Sequence, residues 1–224
     1  WAAMPRLLFA KTGNAVWISH LDLMRVFQRA FRRGGILIRH SQGFTPRAHV
    51  SIALPLPVGQ ESVCELLDFD LAQGVVIPLE EIPARLNATL PAGLHVLAAW
   101  PERRKLRELT HLDAALTLEY DRGFPSGGAA AMEAFFREDT PLPVPKRTKS
   151  GMTELDIRPM ICSLSCRQTG SQTLELTCRV CAQNPSLNPM LLAEALRLHC
   201  PGLAPDFAKV RRLEVLDSQG IPFR

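Results

Sequence analysis

Apolar and polar positions follow a helical period after Ser19, and this segment gives the clearest prediction along the chain. On a helical wheel one arc collects the apolar side chains, Leu23, Met24, Phe27, Ala30 and Phe31. The opposite arc collects the charged side chains, Asp22, Arg25, Arg29, Arg32 and Arg33. Ser19 suits the N-cap, with Asp22 in capping-box position, and Gly34-Gly35 suits the end. The sequence therefore predicts a helix that buries one face and exposes a row of arginines.

Short apolar runs around this helix predict strands. In the first half they are Arg6–Ala10, Val50–Leu54, Ser62–Leu71 and Leu94–Trp100, with an extended segment at Ile36–Ile38 and a second helix at Glu80–Thr89. In the second half we predict strands around Leu112–Tyr120, Ile157–Cys166, Thr173–Ala182 and Lys209–Leu216, and helices around Ala129–Arg137 and Pro189–His199. Pro141–Gly151 is expected to be a proline-rich, basic connection. The repeated order predicts an α+β fold of two tandem ferredoxin-like halves, each of βαββαβ type with an antiparallel sheet, at residues 1–104 and 105–224.

Composition supports a folded core and separates the charges. Apolar residues make up 46% of 224 residues, and no apolar run is long enough to span a membrane. Six cysteines in a chain that can build a core suit reduced thiols, so we expect a cytoplasmic protein. Residues 1–60 hold eight basic side chains and one acidic, a charge of +7, whereas the whole chain carries +4. Such segregation is typical of a protein with a polyanionic partner.

A polar loop at residues 41–49 adds varied chemistry beside the arginine helix. It offers Ser41, Gln42, Phe44, Arg47 and His49. Gly43 permits a positive φ, and Phe44 is able either to stack on a base or to fill the core. Lys11 and Arg47 are expected to close a groove between this loop and the helix.

Histidines and cysteines supply the remaining candidates for chemistry. His20 follows the N-cap and is expected near the apolar arc, as a half-buried residue, a phosphate contact or a proton donor. The pairs Cys162/Cys166 and Cys178/Cys181 invite a metal interpretation, but both fall inside predicted strands, where Cys178 and Cys181 point to opposite faces. We predict no metal site and no cofactor, and no familiar catalytic motif is present.

The N-terminal motifs resemble the radical-SAM-associated domain of unknown function, found in bacteria alone or fused behind radical S-adenosylmethionine modules. The resemblance rests on Lys11-Thr12-Gly13, Ile18–Arg25, Arg29–Arg33, Ser41–Phe44 and Leu54–Gly59, and continues weakly through Leu86–Gly93 and Asp156–Ile161. It implies either a partner that carries an iron–sulphur cluster or descent from a fusion with such a protein. The family pattern Asn-Pro-His-Pro-Arg is replaced here by Thr45-Pro46-Arg47-Ala48-His49, which exchanges the arginine and the histidine.

These observations leave three hypotheses. The first is an accessory protein, without catalysis of its own, that holds RNA or another phosphate-rich substrate on a basic groove. The second is an RNA-modifying or RNA-processing enzyme that uses His20 and His49 as acid and base. The third is a docking module for a radical S-adenosylmethionine protein.

Overall fold

The computed structural model describes residues 4–124 and 127–224, which have a mixed α+β fold with four α-helices and antiparallel strand pairs. The chain divides into two compact units, Trp1–Glu108 with Arg224, and Leu109–Phe223. The boundary predicted from sequence lies four residues earlier. Within the described residues, no helix combines the length and apolar character needed to cross a membrane.

The first unit is a small sheet with two helices. Its strands are β1 (Pro5–Lys11), β2 (Val50–Ile52), β3 (Glu61–Phe69) and β4 (Leu94–Pro101), and its helices are α1 (His20–Arg33) and α2 (Ile82–Asn87). β1 lies between β3 and β4, β2 pairs with β3, and all three pairings are antiparallel. The segment at Ile36–Ile38 lies outside the named strands, as expected, and forms one bridge, from Ile38 to Leu71.

Helix α1 forms and packs as its sequence pattern predicts. The Ser19 side chain accepts a hydrogen bond from the Asp22 amide, and Gly34 caps the other end. Leu23, Phe27, Ala30 and Phe31 are buried in the core of the unit. The Phe27 ring meets Phe9 of β1 at 4.7 Å between centroids, and Phe31 meets Phe69 of β3 at 4.9 Å. This contact fixes which side of the helix faces outward.

An ion pair is buried within the same sheet. Arg6 of β1 is fully buried and donates from Nε to Asp68 Oδ1 at 2.6 Å and from Nη2 to Asp68 Oδ2 at 2.9 Å. Arg6 Nη1 also donates to the Arg104 carbonyl oxygen at 3.1 Å. The bidentate geometry compensates for the loss of water around both charges, so each partner depends on the other.

The second unit contains four further sheet strands and two helices. The sheet strands are β5 (Leu109–Glu119), β8 (Ile161–Gln168), β9 (Thr173–Cys181) and β10 (Phe207–Asp217), and the helices are α3 (Gly128–Arg137) and α4 (Met190–His199). β5 lies between β9 and β10, and β8 pairs with β9. Every second residue of β9 is buried, from Leu174 to Val180, which gives this sheet one apolar face.

The segment Pro141–Gly151, predicted as a connection, contains the first strand and the turn of a β-hairpin. β6 (Pro143–Thr148) pairs antiparallel with β7 (Gly151–Asp156) as a separate two-stranded sheet. Pro143 and Pro145 argue against a strand in a large sheet, but a two-stranded ribbon has edges that tolerate proline. Val144 is fully buried and anchors the hairpin, whereas Lys146, Arg147 and Lys149 are exposed.

We expect the Arg6–Asp68 pair to be strongly interdependent. Arg6→Met leaves a buried carboxylate without its guanidinium and should lower the free energy of unfolding by about 3 kcal/mol. Arg6→Met combined with Asp68→Leu should cost less than Arg6→Met alone, because no stranded charge remains. Urea unfolding of the two variants measures both values, and a double variant that is less stable than the single one would contradict this account.

Candidate functional site

The arginine row of α1 is exposed along its whole length. Arg25, Arg29, Arg32 and Arg33 all have exposed side chains. Arg25 Nη1 lies 3.3 Å from Asp22 Oδ1, in a pair whose members are 58% and 61% exposed. Such exposed pairs contribute little, so Arg25 is free to exchange its partner. Across the described residues, Arg29, Arg32 and Arg33 make no ion pair with an acidic side chain.

Two clefts flank this row, one on each side of α1. The first cleft has a volume of about 300 Å³. It lies between α1 and the residues that follow the helix, and it is lined by Gln28, Phe31, Arg32, Ile36–Ile38, His40, Ala48 and Ala72. The second, of about 420 Å³, brings Val26, Arg29, Ala30 and Arg33 of α1 against Thr89, Leu90 and Pro91. Helix α1 is therefore a basic ridge, with Arg32 on the loop side and Arg29 and Arg33 on the other. The single groove expected from the sequence is divided in two.

The loop at residues 41–49 closes on itself at the rim of the first cleft. The Ser41 amide donates to the Arg47 carbonyl oxygen at 2.8 Å, and the Arg47 amide donates back to Ser41 Oγ at 3.0 Å. Below them, His40 bridges to Ala48, and the His49 amide donates to the Arg39 carbonyl oxygen at 2.8 Å. These bonds hold the base of the loop and leave residues 42–46 as a projecting tip.

The aromatic side chain at the loop tip is fully exposed. Phe44 has a relative exposure of 109%, so the alternative in which it fills the core is wrong. Gly43 beside it adopts φ of 132°, a backbone conformation that a side chain would strain. A large apolar ring held in water by a closed loop is a natural stacking platform for a planar ligand.

Lys11 lies inside the unit, away from the position expected for it. Its side chain is buried, and its Nζ donates to the Ile18 carbonyl oxygen at 2.6 Å. Burial lowers the pKa of Lys11, while the nearby carboxylate of Glu65 raises it. Glu65 in turn accepts a hydrogen bond of 2.8 Å from the Ser62 hydroxyl. Lys11 therefore belongs to a buried polar group and does not close the basic cleft.

The two histidines proposed as acid and base do not line either of the clefts beside α1. His20 is the first residue of α1 and is exposed, not turned toward the sheet as the helical wheel predicted. His49 is half-buried at the base of the loop.

The structure thus brings together some predicted site residues and adds others. Arg32 and the loop share one cleft, and Arg29 and Arg33 share the other. The additions are Gln28 and His40, together with the turn Thr89–Pro91. Gln28 sits beside Arg32 on the helical wheel and could have been inferred. The turn Thr89–Pro91 could not have been inferred, because it contacts α1 only through long-range packing.

Comparison with known proteins places this basic α+β protein in a family. The family described as "Uncharacterized protein conserved in bacteria (DUF2344)" matches residues 5–189, and the chain belongs to it. No curated protein matches the sequence significantly.

Two solved structures align over most of the chain at low similarity. A "Cbf5-Nop10-Gar1 Complex" is 10% identical over 94% of this chain with a TM-score of 0.48, and the chain spans 48% of that structure's length. "An Unknown Protein from Galdieria sulphuraria" is 11% identical, covering 95% of this chain and 99% of that one, with a TM-score of 0.27.

Crowding of like charges on α1 should be measurable as a cost in stability. Arg29 is four residues from both Arg25 and Arg33, positions where like charges repel. We expect Arg29→Gln to raise the free energy of unfolding by about 0.5 kcal/mol at low salt, and by less at high salt. Urea unfolding at two ionic strengths measures this.

The matched control is Arg167→Gln, because exposed Arg167 pairs with Glu175 at 3.2 Å and gains nothing from neutralisation. A stability gain that is equal in the two variants, or insensitive to salt, would contradict the repulsion.

Proposed function

We propose that this protein binds single-stranded RNA on the α1 ridge, with a base stacked on Phe44. The observation that carries the proposal is that Arg29, Arg32 and Arg33, which make no ion pair within the described residues, lie on a helix beside a loop whose tip holds the fully exposed ring of Phe44. Arg32 and the base of that loop line the same cleft. The ring of Phe44 is not part of the core, and repulsion within the arginine row does not favour the helix. Together they match the two needs of single-strand recognition, which are a basic track for the backbone and a ring for a base.

The phosphate backbone is proposed to follow α1. Guanidinium groups offer planar forks that bind phosphate oxygens in bidentate fashion. Arg29, Arg32 and Arg33 are exposed within one and a half turns of helix, so successive phosphates can meet successive side chains. Arg25 joins them by exchanging its solvent-exposed partner Asp22 for phosphate.

The loop is proposed to read the base. Gln42 and Phe44 project from the tip, so an amide for hydrogen bonding lies beside a ring for stacking. The Ser41 oxygen accepts a bond from the Arg47 amide, and its hydroxyl hydrogen is left to donate to a ligand. The Arg47 side chain is exposed at the same loop and adds a further positive charge.

The finer descriptions of fold and partnership belong to the proposal as well. Each unit orders its four sheet strands as fourth, first, third, second, which supports two ferredoxin-like halves, the second with an inserted hairpin β6–β7. A radical S-adenosylmethionine protein stays the predicted partner, and a cytoplasmic location stays predicted. We propose an accessory role without catalysis. If the protein turns over RNA, and if His20→Ala abolishes this turnover without changing RNA affinity, the enzyme hypothesis is correct instead.

Binding should depend steeply on salt. If about four phosphates are neutralised, the slope of log affinity against log salt concentration should be about −3 for a single strand. Arg29→Ala or Arg33→Ala should make the slope shallower by about 0.7 each. Fluorescence anisotropy of a labelled single-stranded oligonucleotide measures the slope. Arg167→Ala is the control and should change nothing; absent or salt-independent binding would refute the proposal.

Phe44 should contribute affinity that salt does not affect. Phe44→Ala removes one base–ring contact and should weaken binding by about 1 to 3 kcal/mol, whereas Phe44→Trp should preserve it. The salt slope should be the same in all three proteins. Trp17→Ala removes another exposed aromatic side chain, which is 69% exposed, and serves as the matched control. Equal losses in Phe44→Ala and Trp17→Ala would argue against specific stacking.

A further inference from the structure

A cluster of imidazole and thiol groups lies in the second unit and shares no residue with the basic ridge. His111 is on β5, Cys162 on β8 and Cys181 on β9. Their potential ligand atoms all lie within 4.8 Å of one another. His111 and Cys181 are direct cross-strand partners, and the thiol of Cys162 lies within 4.8 Å of the thiol of Cys181. Each of three strands thus contributes one potential metal ligand to the same cluster.

All three donors sit on the sheet face opposite its apolar side. Along β5 and β9 the buried positions are Leu112 and Val180, so their neighbours His111 and Cys181 point the other way. Cys166 and Cys178 lie on the apolar side, where the Cys166 thiol is close to Glu133 of α3. The sheet therefore sorts the four cysteines into two pairs that differ from the pairs adjacent in sequence.

A β-bulge brings Cys162 into this cluster. Ile161 pairs with Val180 while Ser163 pairs with Arg179, so β8 has one extra residue at this point. That residue is Cys162. The bulge reverses the alternation of β8, because Ile161 faces the apolar side and Ser163 does not. Bulges of this kind re-aim side chains at functional sites.

The neighbours of the cluster suit a metal-ligating histidine. His111 Nδ1 is 2.8 Å from the Thr110 hydroxyl, and such a bond orients the ring and directs its other nitrogen to a ligand. The adjacent carboxylate of Asp113 is held by Arg179 through two bonds, of 2.8 Å and 3.0 Å. Asp113 is therefore engaged, and the cluster offers two sulphurs and one nitrogen.

We propose that His111, Cys162 and Cys181 bind a Zn²⁺ ion. Two thiolates and one imidazole are a set that Zn²⁺ accepts in tetrahedral geometry. With zinc bonds of about 2.0 to 2.3 Å, donors stand about 3.5 to 4 Å apart, so modest side-chain movement closes the site. Binding releases the two thiol protons to water and leaves a site without net charge. Cys162 is exposed, so the fourth position faces solvent and takes water or an incoming ligand.

Cobalt titration tests the site with the full chain. The protein is reduced, stripped of metal with a chelator and titrated with Co²⁺, which reports tetrahedral thiolate ligation by its absorption. We expect one equivalent to produce a thiolate-to-cobalt charge-transfer band and visible d–d bands, and Zn²⁺ to abolish both. Cys162→Ser, Cys181→Ser and His111→Gln should each weaken the Co²⁺ affinity about tenfold or more.

Cys200→Ser is the matched control, since Cys200 is a half-buried thiol of the same unit that lies at the end of α4. It should leave the titration unchanged, and circular dichroism should show that all variants fold. A Co²⁺ affinity that is unchanged in Cys181→Ser would overturn the assignment. The absence of any charge-transfer band from the fully reduced wild-type protein would overturn it as well. RNA affinity is measured separately, because the ridge and this cluster share no residue.

Discussion

Burial of one face of α1 is the constraint on which the candidate site depends. Phe27 and Phe31 must contact the sheet, since these two rings occupy the centre of the core between Phe9 and Phe69. A helix has only one opposite side, and the arginines are therefore forced into water. Their position follows from packing, but their number does not, and neither does the lack of an ion pair at Arg29, Arg32 and Arg33 within the described residues. Those two properties indicate selection for something outside the fold.

The same packing divides the surface around the helix. A convex ridge with a cleft on each side offers a different binding geometry from a single groove. An RNA strand placed along the ridge would have Arg32 on one side and Arg29 and Arg33 on the other. In the proposed complex, the loop would contact the RNA on the first side alone. Directionality of a bound strand could arise from this asymmetry, with bases turned toward Phe44 and the backbone on the helix.

Local signals in the sequence were sufficient for α1, its caps and the order of most strands. They were not sufficient where long-range contacts decide the outcome. Lys11 looked like a surface cation because neither the Ile18 carbonyl nor Glu65 is recognisable as its neighbour from spacing. The hairpin β6–β7 is not predicted because its prolines disfavour a strand. The pairing of the cysteines is not predicted because it depends on a β-bulge, which no residue type in the sequence indicates. His20 was misplaced because a helical wheel ignores the exposure of a first turn.

Photo-crosslinking tests the central claim most directly, because it locates a bound strand without removing any side chain. A single-stranded oligonucleotide that carries 4-thiouridine is irradiated with the protein, and peptide mass spectrometry identifies the adducts. The account predicts adducts on the loop peptide that contains Phe44 and on α1. Adducts confined to the basic hairpin around Arg147, with none on the loop or α1, would contradict it.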